Sequence, residues 1–121
     1  MAVRTIIRNI SNPAVPFGGG IVDFIDEIVP PNCTLVLKSF GNDVGNVALW
    51  TFAHWRFLKN MMPQFPMDDI YDPSGTTMLR QPCENIKWQG GSRFTLRAIN
   101  DHAAITAVMP VSVEYDLVAN D

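Results

Sequence analysis

Met109-Pro110-Val111-Ser112-Val113-Glu114-Tyr115-Asp116-Leu117 alternates apolar and polar residues at every step. Successive side chains of a β-strand point to opposite faces, so a period of two marks a strand with one buried face. Met109, Val111, Val113, Tyr115 and Leu117 would face a core. Pro110, Ser112, Glu114 and Asp116 would face water or a partner.

The same grammar extends back along the chain. Asn85-Ile86-Lys87-Trp88 and Arg93–Ile99 flank Gln89-Gly90-Gly91-Ser92, which reads as a hairpin because both glycines can take φ > 0. Asn100-Asp101-His102 makes a turn before the last strand. Residues 3–10, 22–29 and 34–40 read as three further strands. Asn12-Pro13, Pro30-Pro31-Asn32, Gly41-Asn42-Asp43 and Gly45-Asn46 punctuate them. Val47–Leu58 could form a helix, but its aromatic, Val and Thr content favours a long strand, or a strand with a bulge. Trp50, Phe52, His54, Arg56 and Leu58 would share one face of it, and Leu49, Thr51, Ala53, Trp55 and Phe57 the other. Residues 59–83 hold Pro63, Pro66, Pro73 and Pro82 with Met61, Met62, Met67 and Met78. Such a segment reads as a long adaptable loop that packs on a neighbour. Short strands and frequent turns predict an all-β chain, an antiparallel β-sandwich or small barrel.

At 121 residues the chain suits one domain. Residues 1–20 read as an N-terminal strand or arm with the Gly-rich linker Val15-Pro16-Phe17-Gly18-Gly19-Gly20, and residues 21–121 as a single sandwich. Apolar residues make up 47 % and charged residues 17 %, a globular composition with a contact-forming surface. The nine Lys and Arg residues are scattered and the net charge is −3, which is not the clustered basic footprint of nucleic-acid binding. No apolar run approaches the ~20 residues of a membrane-spanning helix, and Met1–Arg8 lacks a signal-peptide core. Cytosolic synthesis is then expected, with Cys33 and Cys83 as free, packed thiols. The sequons Asn9-Ile10-Ser11 and Asn32-Cys33-Thr34 carry no weight without a secretion signal.

Reaction chemistry is thinly supplied. The triple glycine has no following Lys-Ser/Thr, so it reads as a plain loop rather than a phosphate cradle. His54 and His102 could join a zinc site only if the fold brings them to a Cys or Asp, and both read as packed or surface histidines. Asp68-Asp69-Ile70-Tyr71-Asp72 lacks the alternation of a calcium loop and reads as a solvated acidic turn. There is no G-x-S-x-G elbow, and Cys83 has no adjacent base. The expectation is a chain that is not an enzyme, with no catalytic residues, no cofactor and no metal.

Two stretches together resemble one group of proteins. In the first, Val29-Pro30-Pro31-Asn32 leads into Thr34-Leu35-Val36-Leu37. In the second, Gly90–Asn100 leads through a turn to Val111–Leu117. This "Pro, small polar residue, apolar strand" and "Gly-Ser, apolar strand, Ala-x-Asn" pattern, over residues 29–41 and 86–118, resembles the jelly-roll cement or decoration proteins of tailed-phage capsids. The 59–83 segment has no counterpart there. The resemblance implies a jelly-roll-like sandwich with a structural role at the capsid surface of a virion, made in the host cytoplasm. It implies the major capsid protein as partner and a homo-oligomer, dimer or trimer. Neither nucleic acid nor a membrane is a partner in this reading. Phe17, Met61, Met62, Phe65 and Tyr71 are the candidate contacts. The alternative is a carbohydrate-binding sandwich of a spike or fibre, with Trp50, Trp55 and Trp88 as its aromatic platform. A cupin-type metalloenzyme would need more histidines than the chain has.

Overall fold

In the last strand the alternation does what it predicts. Val111, Val113 and Tyr115 are buried and Leu117 is half-buried, within β12 (Val111–Ala119). Met109 is also buried but precedes the strand. Ser112, on the outward side, is buried too, because its hydroxyl donates to Asn9 and accepts from Arg80. The computed structural model describes residues 2–11, 14–44, 46–71, 80–83 and 85–120. The Asn12-Pro13 stop, Gly45 and residues 72–79 of the Pro/Met-rich segment lie outside them.

Two antiparallel sheets pack face to face. Sheet I runs β1 (Val3–Ile10), β12, β4 (Cys33–Asn42), with β8 (Gln81–Pro82) and β9 (Lys87–Gln89) both on the far side of β4. Sheet II runs β3 (Gly20–Ile28), β10 (Arg93–Asn100), β5 (Ala53–Lys59), with β6 (Met62–Pro63) and β7 (Ile70–Tyr71) both on β5. A small pair, β2 (Ala14–Val15) with β11 (Ala107–Val108), joins the linker to the segment before β12. The fold is an all-β antiparallel sandwich, and its order is compatible with a jelly roll.

The inward face of each strand supplies the core. Leu35 and Leu37 of β4, Trp55 and Phe57 of β5, Phe94 and Leu96 of β10, and Trp88 of β9 are all buried. Their rings meet at edges and faces: Trp88 on Phe94 at 4.8 Å, Phe40 on Phe57 at 5.1 Å, Phe94 on Tyr115 at 5.4 Å. Each large apolar side chain buried this way contributes about 1.5–3 kcal/mol, and edge-on ring pairs add about 0.5–1.5 kcal/mol.

The structure corrects three sequence expectations. The long strand over 47–58 is not continuous. Val47–Leu49 is a 3-10 turn capped by Asn46, whose Oδ1 accepts from Ala48 N at 3.0 Å, and the strand begins at Ala53. Within it the two faces are as read, with Ala53, Trp55 and Phe57 inward. Second, Gly90-Gly91 is not a hairpin. Its two flanking strands belong to different sheets, β9 pairing with β4 and β10 with β3 and β5. The turn is tight, with Gly91 at φ +85 and Ser92 N donating to Gln89 O, but Gly90 packs against the Pro31 backbone and turns the chain across the sandwich. A Cβ there would sit 2.3 Å from Pro31 O, so only glycine fits. Third, Gly41-Asn42 continues β4 instead of ending it, because β12 pairs with it as far as Val111.

Residues 3–10 form the strand expected of the N-terminal segment, paired with β12 along its whole length, from Val3 opposite Val118 to Ile10 opposite Val111. The linker is pinned as well. Gly18 N donates to His102 O and Gly19 N to Asn100 O. Buried Asn100 donates to Val15 O and Ile105 O and accepts from His102 N.

Candidate functional site

The outward face of sheet II is a ladder of opposite charges. Arg93 grips Asp26 with two bonds of 2.6 Å, and Thr95 Oγ1 donates to the same carboxylate. One step along, Arg97 grips Asp23 at 2.7 and 3.2 Å. The Arg93 guanidinium holds the Asp26 carboxyl below its ordinary value, and the carboxylates hold both arginines above theirs. Arg56 stands opposite Arg97 in register and leans to Asp69 at 3.5 Å.

At the end of this ladder lies the most constrained group of side chains. His54 sits on β5 between Ile99 and Tyr71 on the neighbouring strands and is 3 % exposed. Its Nδ1 meets Asp69 Oδ1 at 2.5 Å and its Nε2 meets Asp101 Oδ2 at 2.8 Å. The ring stacks on Tyr71 with centroids 4.9 Å apart. Both ring nitrogens thus lie within hydrogen-bond reach of a carboxylate oxygen. The Tyr71 hydroxyl is pushed above its ordinary value by desolvation first and then by the charges of Asp69 and Asp101. Arg56, Arg93 and Arg97 thus stand among Asp23, Asp26, Asp69 and Asp101 on this face. Because both ring nitrogens are engaged, His54 is a brace between two loops and not a poised base.

No family model, curated protein or solved structure matches this chain.

The candidate contacts are all exposed, but they do not form one patch. Tyr71 lies at the His54 end of β5, and Phe17 lies in the linker turn bonded to Asn100 and His102, the same end of sheet II. Phe52 adds an exposed ring there, edge-on to His102 at 5.0 Å. Met61 and Met62 lie at the opposite end of β5, roughly 17 Å away at the rise of a strand, where Met62 pairs with Lys59. Phe65 follows them in the excursion between β6 and β7 and is 84 % exposed.

That excursion is an ordered ledge. Asn60 and Met61, at φ 49 and 68, form a two-residue turn with both centres left-handed. Asn60 Oδ1 accepts from Arg93 N at 2.8 Å. Gln64 N donates to Phe57 O, and Phe57 N to Met67 O, so the ledge returns twice to β5. The sequence reading of 59–83 as irregular misses β6, β7 and β8, because two-residue strands leave no periodic signal.

Other sequence candidates are accounted for locally. His102 Nδ1 accepts from Ala104 N and Ile105 N, which caps the turn and leaves that nitrogen no metal to bind. Among the described residues no group of three or more His, Cys, Asp or Glu could hold a metal ion. Cys33 and Cys83 are free thiols, and burial pushes Cys83 up to about 11. The aromatic platform expected of the tryptophans is not there. Trp55 and Trp88 are wholly buried, Trp88 donating to Leu58 O, and half-buried Trp50 donates to Val44 O.

Proposed function

We propose that this chain is a non-catalytic structural subunit of a viral particle, seated on the capsid surface as a cement protein in the manner of tailed-phage decoration proteins. The observation that carries the docking part of this reading is the ledge. Met61, Met62 and Phe65 project apolar surface from a turn bonded to β5 and β10. Met61 holds a left-handed φ that costs a residue with a side chain about 1–2 kcal/mol. An apolar side chain kept at such a position, exposed, is better explained by a partner than by the fold. The partner in this reading is the major capsid protein, and many weak contacts across repeated subunits add up by multivalency. The capsid assignment itself rests on the resemblance of residues 29–41 and 86–118.

The test is quantitative mass spectrometry of virus particles purified from the source of this chain, counting it against the major capsid protein. A simple stoichiometric fraction is expected. Absence from particles would remove the reading. The carbohydrate alternative would have to rely on Tyr71 and Phe52 beside Asp69 and Asp101, and a glycan titration followed by NMR of those residues would detect it.

A further inference from the structure

Two hollows open on one side of the sandwich. Arg8 stands opposite Val113 in register and Glu27 opposite Phe94, so both charged side chains share a face with buried residues. They meet across the gap between the sheets at 2.6 Å. Beside this pair lies a hollow of about 290 Å³, walled by Ile6, Ile28, Leu35, Phe94 and Leu117. A second hollow, also of about 290 Å³, is walled by Val3, Arg4, Cys33 and Ala119. Pro30 and Leu117 line both, so the two adjoin. Together they reach the size of a small-molecule pocket, about 300–1,000 Å³.

The walls are apolar and one end is cationic. Val3 and Ile28 are 57 % and 62 % exposed, large apolar side chains left open at the rims. Arg4 is exposed and makes no ion pair among the described residues. The arginines of sheet II are each paired with a carboxylate, and Arg8 is paired with Glu27. No acid lines the second hollow. Arg4 and Arg8 lie on one face of β1 with Ile6 between them, roughly 13 Å apart at the rise of a strand. The result is an apolar trough of that length. An ion pair of no net charge bounds one end, and an unmatched guanidinium stands at the other.

We propose that this trough binds a free single-chain anionic amphiphile, an alkyl carboxylate of medium length, with its chain along Ile6, Leu117 and Pro30 and its head group on Arg4. The bound chain covers Val3 and Ile28 and takes their apolar surface out of water. The carboxylate gives Arg4 the charge-assisted hydrogen bonds that its neighbours do not. An extended peptide suits the trough less well. A strand entering between the sheets would have to break the Arg8–Glu27 bond, whereas an alkyl chain lies beside it. Pro30 also has no N–H to offer a peptide backbone. The trough runs along β1 and β3, across sheet II from the ledge, and the proposal does not depend on the capsid reading.

Methyl NMR of the natural chain titrated with dodecanoate, below its micelle concentration, tests it. Saturable shifts at Ile6, Ile28, Leu35 and Leu117 are expected. Arg4→Glu should weaken the binding roughly tenfold at low salt, with circular dichroism to show that the fold is kept, and Arg4→Lys should preserve it. Dodecyltrimethylammonium, with the same tail and the opposite charge, should bind the natural chain more weakly than dodecanoate and should bind Arg4→Glu more tightly than the natural chain. No saturable shift at these methyls would overturn the proposal, as would equal binding of the two head groups by the natural chain. So would flotation with phosphatidylglycerol vesicles by a chain that takes up no free dodecanoate, because that result assigns the trough to a membrane surface.

Discussion

His54 Nε2 and Asp101 Oδ2 meet at 2.8 Å, joining β5 to the turn after β10 through residues 47 positions apart. Asp69 reaches the other ring nitrogen from the ledge. One buried ring therefore ties two connections to one strand. Replacing it with leucine would leave both carboxylates without their ring-nitrogen partner. A hydrogen bond to a charged group contributes about 1.5–3 kcal/mol. Here the carboxylates are 38 % and 52 % exposed, so a loss of about 2 kcal/mol is expected after discounting for solvent screening. Urea unfolding of His54→Leu and of the triple variant with Asp69→Asn and Asp101→Asn checks it. The triple variant should recover most of the loss, and an unchanged His54→Leu would show that the brace contributes nothing.

Asn100 is the corresponding brace for the linker. It is fully buried and its amide makes three bonds, to Val15, Ile105 and His102. Asn100→Ala takes this partner from one buried carbonyl, one part-buried carbonyl and one part-buried N–H, and a fully buried orphan costs about 1–3 kcal/mol. A loss of about 3 kcal/mol in urea unfolding is expected. Hydrogen exchange at Gly18 and Gly19, whose amides bond the same turn, should rise with it.

The core was legible in sequence and the site was not, for a physical reason. Period-two alternation reports burial directly, so β12 and the inward residues of β5 could be read from local order. The partners of His54 lie 15 and 47 positions away, and no local spacing encodes which acids will meet a ring. Gly90-Gly91 shows the opposite failure. Its local signal for a tight turn is right, but whether a turn joins strands of one sheet or two depends on what else pairs with β9, and β4 takes that edge.

Asp26 gives a pH signature. Its carboxyl is held below its ordinary 3.8, by the Arg93 hydrogen bonds first. A group whose folded-state value is depressed stabilises the fold above its unfolded value, and that contribution fades as pH falls through the folded value. The stability difference between the natural chain and Asp26→Asn should be constant near neutrality and shrink as the pH drops below 3.8. A difference that stays constant into acid would show that the Arg93–Asp26 pair does not act through charge.

Cys83 should be inert while the protein is folded. Burial pushes its thiol from 9.0 to about 11, which lowers the thiolate fraction at mildly alkaline pH by about a hundredfold. Site-resolved alkylation followed by mass spectrometry is expected to label Cys83 slowly in the folded chain and at an ordinary thiol rate in urea. Equal rates in both conditions would mean that the Cys83 environment opens readily.

Met61 separates stability from docking in one substitution. The Asn60-Met61 turn has both centres at positive φ, the geometry in which Asn-Gly is the favoured pair. Met61→Gly removes the left-handed cost of about 1–2 kcal/mol. It also gives up the Met61 contact with Thr95, whose Oγ1 lies 3.9 Å from the sulfur, and pays some chain entropy. A net gain of about 0.5–1 kcal/mol in urea unfolding is expected. If the side chain is kept for a partner, the more stable variant should bind particles less well, read as a lower copy number after reconstitution with capsids stripped of this chain. A variant that is both more stable and equally well bound would leave the strain at Met61 without a docking explanation and shift the contact to Met62 and Phe65.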